Sequence, residues 1–310
     1  MPVAPNMGVL SRFGTNLDTT ATAAVATTEY EFLSCALGAE RELIRNEGMR
    51  GTRLHPVSRM RKGRITPGGV VELEPTYGEL RVLLPLMISV EAGIAGARTY
   101  TVTDTVPVAF QAIVERVADQ KAYTQCRTSR TTWKSSPGQP LSCSWEIEAL
   151  DEKASAGTPF SGLTISNTPP FVFHEAVLTL NSTAYHVHDW EMVVDWHLKT
   201  DRWVNSQTRT DLPSMDFSCI TRFTLPYTSD TTGLYDLFTE ASEIATGVTG
   251  SIVFTKGGTA LTFAWVGLLM PAQRSPVIPS RDEIVLAFAT ESRRTAAGVS
   301  PLTVTLDEVV

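Results

Sequence analysis

The densest group of chemistry-bearing side chains is Tyr185-His186-Val187-His188-Asp189, with His174 and His197 close by in sequence. Histidines at i and i+2 on a strand share a face, which is how two imidazoles reach one metal ion, yet no third ligand stands at a diagnostic spacing. Ordinary turn and surface histidines are the plainer reading. Glu72 and Glu74 also share a face of a predicted strand, as an acid–base pair would and as a solvated acidic face would. No serine sits in a G-x-S-x-G elbow, and Gly68-Gly69 and Gly257-Gly258 lack the lysine and the following helix of a phosphate loop. The four cysteines (Cys35, Cys126, Cys143, Cys219) show no C-x-x-C spacing and read as small core residues of a protein made in a reducing cytoplasm. The chain is therefore read as non-catalytic, with no metal and no cofactor.

A basic stretch offers recognition in place of catalysis. Arg45, Arg50, Arg53, Arg59, Arg61, Lys62 and Arg64 stand against one acid, Glu47, within an acidic chain of net charge −7. That overall charge excludes a protein whose main surface clamps nucleic-acid phosphates, since such a surface needs a surplus of lysine and arginine. It leaves room for a local contact surface. The span from Asn46 to Pro67 shows neither helical nor strand period, and irregular segments of that length in compact domains tend to be functional.

Elements with regular patterns flank this stretch. Thr28 to Leu33 and Glu40 to Arg45 alternate as short strands. Gly68 to Pro75 is a further strand, and Thr76 with Glu79 forms a capping box that opens a helix with Leu80, Leu83, Leu84 and Met87 on one face and Pro85 inside it. About 150 residues further on the same order recurs. Val193 to Leu198 enters, Lys199 to Leu212 is a polar loop carrying Arg202, Trp203 and Arg209, Met215 to Leu225 alternates, and a helical pattern of Leu234, Leu237, Phe238 and Ala241 follows.

Between and after the copies, Arg98–Val102, Val106–Val117, Ala122–Thr132, Leu141–Leu150, Phe171–Leu180, Ser251–Thr255, Ala260–Leu269, Asp282–Thr290 and Leu302–Leu306 read as strands separated by turn residues. The fold class expected is mainly β: two tandem β-sandwich domains, each with one flanking helix and a long inter-strand loop. A flexible arm is expected over residues 1–28, a first domain over 29–150, an Ala/Ser/Thr/Pro-rich linker over 151–170 and a second domain over 171–310. The tryptophans (Trp133, Trp145, Trp190, Trp196, Trp203) suit core packing before they suit stacking on bases or sugars. Leu83 to Ala97 is the nearest approach to a membrane span, but it is short and interrupted by Glu91.

The runs Gly48-Met49-Arg50-Gly51-Thr52-Arg53, Ser58-Arg59, Gly69-Val70-Val71-Glu72-Leu73-Glu74-Pro75, Leu83-Leu84-Pro85, Phe171-Val172-Phe173, Leu178-Thr179-Leu180 and Trp190-Glu191-Met192 resemble the major tail tube proteins of tailed bacteriophages. More narrowly, they resemble those with two tandem tube domains. The resemblance implies a structural virion protein. Its sheets line a channel, its long loop reaches the neighbouring ring, and three duplicated chains replace a ring of six single ones. It implies self-association through Arg50, Arg53, Arg59, Arg61, Lys62 and Arg64, with Arg202, Trp203 and Arg209 as the second copy. It also implies tape measure, tail terminator and baseplate or tip proteins as partners, and double-stranded DNA passing through without specific binding. The rival expectation is a carbohydrate- or receptor-binding β-sandwich that uses its tryptophans, and a weaker one is an enzyme built around His174, His186 and His188.

Overall fold

Strand-forming alternation and turn chemistry account for most of the chain. The computed structural model describes residues 8–19, 24–45, 57–94, 96–155, 157–228, 247–270 and 284–307, with Thr231, Gly233, Leu234 and Asp236. The first half forms β1 (Arg12–Asn16), β2 (Thr28–Tyr30), β3 (Ser34–Cys35), β4 (Gly38–Ile44), β5 (Arg61–Leu73), α1 (Tyr77–Met87), β6 (Val90–Ile94), β7 (Ala97–Thr101), β8 (Phe110–Glu115), β9 (Gln120–Ser135), β10 (Ser142–Glu148) and β11 (Asp151–Ala154). The second forms β12 (Ala176–Leu180), β13 (Thr183–Tyr185), β14 (Asp189–Asp195), β15 (Ser218–Pro226), β16 (Val248–Lys256), β17 (Thr259–Leu269), β18 (Val285–Ser292) and β19 (Leu302–Asp307). The protein is mainly β, its strands pair antiparallel, and α1 flanks them.

The strand pairing runs twice. β1–β2, β1–β8, β4–β5, β5–β10, β8–β9, β9–β10 and β9–β11 are matched in chain order by β12–β13, β12–β16, β14–β15, β15–β18, β16–β17, β17–β18 and β17–β19. Register repeats as well as order. A bulge lies between the pairs Phe110–Cys126 and Ala112–Tyr123, and another lies between Val248–Leu268 and Gly250–Trp265. The helix entrances agree too: Thr76 N–H donates to Glu79 Oε2 at 2.8 Å, and Thr228 N–H donates to Thr231 Oγ1 at 2.7 Å. Leu234 is helical and buried, while Leu237, Phe238 and Ala241 lie outside the described residues.

Among the described residues two ladders join the halves. β9 pairs with β14 from Arg130–Asp195 to Ser135–Trp190, and β7 pairs with β19. Behind the first ladder the apolar side chains form one core, with Trp133 and Trp190 each 5.4 Å from Phe263 between ring centroids. β9 serves both layers of the first half, because its early residues pair with β8 and β11 and its later ones with β10 and β14. Gln125, at φ 48°, stands in the bulge of the β8–β9 pairing, just before the second section begins at Arg127.

Three expectations are corrected. Residues 12–16, expected in a flexible arm, form β1: Phe13 is fully buried, 5.8 Å from the Tyr30 ring and 6.1 Å from Trp145. Gly14 permits that seating, since a Cβ there would stand 2.4 Å from the Thr28 carbonyl. Asp151–Ala154, expected in the linker, is an edge strand on β9, held by main-chain bonds rather than by apolar side chains. Arg61–Thr66, expected as irregular loop, is the first half of β5.

If β1 is part of the core, Phe13→Ala lowers stability by about 3–5 kcal/mol, read by urea denaturation. An unchanged midpoint would return residues 12–16 to an arm.

Candidate functional site

β5 pairs with β10 only over Gly68–Leu73, so Arg61–Pro67 projects beyond the sheet with β4 as its partner. Gly63, Ile65 and Pro67 are buried along this extension, and Arg61, Lys62 and Arg64 point outward. A ladder edge left open in this way is a liability, and the connection between β14 and β15 covers it. Ile65 N–H donates to the Gln207 carbonyl at 2.8 Å, Gln207 Nε2 to the Lys62 carbonyl at 3.0 Å, and Trp203 Nε1 to the Ile65 carbonyl at 3.3 Å. The Trp203 ring lies 4.8 Å from the Arg64 guanidinium and 5.6 Å from that of Arg209.

The expected contact residues therefore divide. Arg209 is 4% exposed, paired with Glu148 at 2.5 Å and bonded to the carbonyls of Pro67 and Ala149, each at 3.2 Å. It fastens this brace, the β14–β15 connection, to the sheet and is closed to an outside partner, which corrects its expected contact role. Trp203 is likewise engaged within the protomer. Arg202 is exposed and stands 3.5 Å from Asp211. Arg59 is half-buried at a short 3-10 turn, Val57–Arg59, beside exposed Leu43, Ile44, Val57 and Met60. The hairpin end thus carries apolar as well as basic groups. Arg50 and Arg53 lie outside the described residues. Sequence reading missed Gln207, Arg41 (3.2 Å from Gln207 Oε1) and Glu148, because an isolated glutamine or glutamate gives no local sign of a distant partner.

The second feature is the outward face of the sheet β5–β10–β9–β14–β15–β18. Cross-strand partners place Glu72, Ser144, Thr132, Val193, Ile220 and Glu291 in one row across it. The same face carries Glu146, Asp189, Glu191 and Asp195, against the bases Arg130, Lys134 and Arg222. Arg130 pairs with Asp195 at 2.6 Å, Arg222 pairs with Glu191, and Ser144 donates to Glu72 at 2.8 Å. The face is acidic and rich in hydroxyl groups. Burial pushes the Glu146 pKa above the ordinary carboxylate range although Arg130 pulls it down.

The remaining candidates are placed as follows. Trp133, Trp145, Trp190, Trp196 and Trp265 are buried, and Trp203 is half-buried. Cys126, Cys143 and Cys219 are buried free thiols and Cys35 is half-buried; burial pushes the Cys126 and Cys219 pKa values to about 12. His174 and His186 border a cavity of about 320 Å³ with Tyr185, while His197 Nε2 lies 3.1 Å from Ser218 Oγ. Among the described residues no three of His, Cys, Asp and Glu gather as metal ligands would, and no helix is long and apolar enough to cross a membrane.

A sequence profile of the family described as phage tail tube protein matches residues 7–299. The chain belongs to that family. It is a structural component of the virion tail that self-assembles into a tube and associates with other tail components. No curated protein matches the chain at a significant level.

Two outcomes follow from the geometry. Arg209→Ala leaves Glu148 without its partner and lowers stability by about 3–5 kcal/mol, whereas Arg202→Ala changes it by less than about 1 kcal/mol; urea denaturation separates them. Unfolded Glu146 loses its proton at lower pH than the folded residue does, so its charged form opposes folding fully above the folded pKa and not at all below the unfolded one. Glu146→Gln therefore raises the thermal midpoint at pH 7, and its advantage disappears near about pH 4.

Proposed function

We propose that this chain is the major tube subunit. Two tandem tube units, the first running from β1 through β11 and the second from β12 through β19, make three chains equivalent to a ring of six. The observation carrying this reading is the repeated pairing scheme. In the scheme β14 takes β9 along its outer edge; its counterpart in the first half, β3 with β4, has its outer edge unpaired among the described residues. A second copy supplies the missing strand there, and repetition around an axis closes the wall.

On this reading the acidic face fronts the bore. DNA meets few bases able to displace its counterions, so it slides instead of binding. The hairpin with Arg59, Arg61, Lys62, Arg64 and, on its brace, Arg202 points along the axis. Arg50 and Arg53 belong to the same connection. At the other end of the sheet an open cavity of about 680 Å³ is bordered by Glu72, Glu74, Asp189 and Glu191, with Lys134 among them. Basic and apolar groups at one end and carboxylates at the other suit head-to-tail stacking, which does not close and gives a filament. Tape measure, terminator and baseplate or tip proteins are the partners at the ends of such a filament.

Purified protein should give hollow filaments in negative-stain electron microscopy, with end views of three two-lobed subunits. The double variant Arg59→Glu, Arg61→Glu should remain folded and soluble but give no filaments. Filaments of wild-type abundance from the variant would overturn the axial role of these arginines. A persistent monomer that binds a glycan would favour the carbohydrate-binding alternative.

A further inference from the structure

We infer that an open cavity beside Phe217 and Ser292 is the docking site for the β4–β5 connection, residues 45–60, of a second copy of the chain. The inference rests on the tube reading and adds a lateral contact that the reading does not contain.

It comes from comparing equivalent positions in the two halves. Leu73 faces Cys143, and Leu225 faces Leu286, which sets β5 against β15 and β10 against β18. The two helix entrances fix the same alignment independently, Thr76 matching Thr228 and hence Leu73 matching Leu225. Ile65 then corresponds to Phe217, Glu148 to Glu291 and Ala149 to Ser292. In the first half these positions are covered: Ile65 binds Gln207 and Trp203, and Glu148 with Ala149 binds Arg209. In the second half Phe217 and Ser292 border a cavity of about 540 Å³ together with Met215, Trp196, Asp104 and Arg294.

Position along the sheet identifies the occupant. The segment covering the first half connects β14 to β15, the strand pair that begins just beyond β9. Just beyond the second half of a protomer in a closed ring stands β4–β5 of the next copy. Its connection therefore bears the same relation to this cavity as residues 199–212 bear to Ile65.

The chemistry agrees. The connection carries Arg50 and Arg53 and is bordered by exposed Leu43, Ile44, Val57 and Met60. The cavity presents Met215, 68% exposed, the Phe217 ring packed 5.0 Å from Trp196, and the Asp216 carboxylate, while the Asp104 carboxylate is held by Arg294 at 2.6 Å in the isolated chain. Glu291, in the place of Glu148, is held by Arg293 at 2.7 Å in the isolated chain.

The test replaces Met215, whose exposure makes the change compatible with folding, by the photoreactive p-benzoylphenylalanine. Isotopically labelled and unlabelled chains are mixed before assembly, the sample is irradiated as filaments and as protomers, and cross-linked peptides are mapped by mass spectrometry. The expected result is a mixed-isotope link from position 215 to a peptide within residues 45–60, present in filaments and absent from protomers. Filaments whose links from position 215 run elsewhere, or lie within one chain, overturn the docking and leave the tube reading standing. A variant and a wild type that both fail to form filaments under any assembly condition overturn the two together.

Discussion

The β9–β14 ladder is the constraint on which the rest of the structure depends. Without it, the facing edges of β9 and β14 would each present unpaired amide and carbonyl groups. With it, the sheets of the two halves become one, running from β4 to β18. Side chains alternate along each strand, so the pairing that aligns Met192 with Trp133 on the core side also aligns Glu191 with Lys134 on the outer side. One register thus builds both the aromatic core and the charged face.

The two faces obey different rules. Behind the ladder, large aromatic side chains from both halves meet, and their burial supplies most of the stabilisation. In front, ion pairs such as Arg130–Asp195 and Arg222–Glu191 are partly exposed and contribute little to stability. On that face Arg130 and Arg222 are already held by carboxylates, which lowers the positive potential they present to solvent. At the hairpin the division is different again, since Arg209 and Arg202 come from one connection, yet one is sealed against Glu148 and the other is in solvent.

Much of this was legible in the sequence because it depends on local pattern. The alternating runs became strands, Thr76 and Glu79 made the expected helix cap, and Trp133, Trp145, Trp190 and Trp196 went into the core, while Trp203 stayed half-buried. The order of elements repeats as read, and Tyr30 and Tyr185 even hold equivalent places opposite Phe13 and Leu178. What escaped depends on partners far along the chain. Lys62-Gly63-Arg64 shows no apolar alternation because its second edge is satisfied by Gln207 and Trp203, about 140 residues away, through bonds to main-chain atoms that leave no pattern in the side chains. β1 rests on one phenylalanine and one glycine, too little for periodicity to register. β11 is a polar edge strand, and its Asp-Glu-Lys composition reads as loop.

The central claim is that the outer edge of β3 and β4 does between chains what β14 does within one. A helical reconstruction of the assembled filament by electron cryomicroscopy, at a resolution that separates strands, tests it most directly. The account predicts three chains per ring, a continuous wall with a neighbouring strand hydrogen-bonded along Cys35 to Glu40, and Glu72, Thr132 and Glu291 facing the bore. A filament in which that edge stays unpaired, or in which the Trp133 side of the sheet faces the bore, would contradict it.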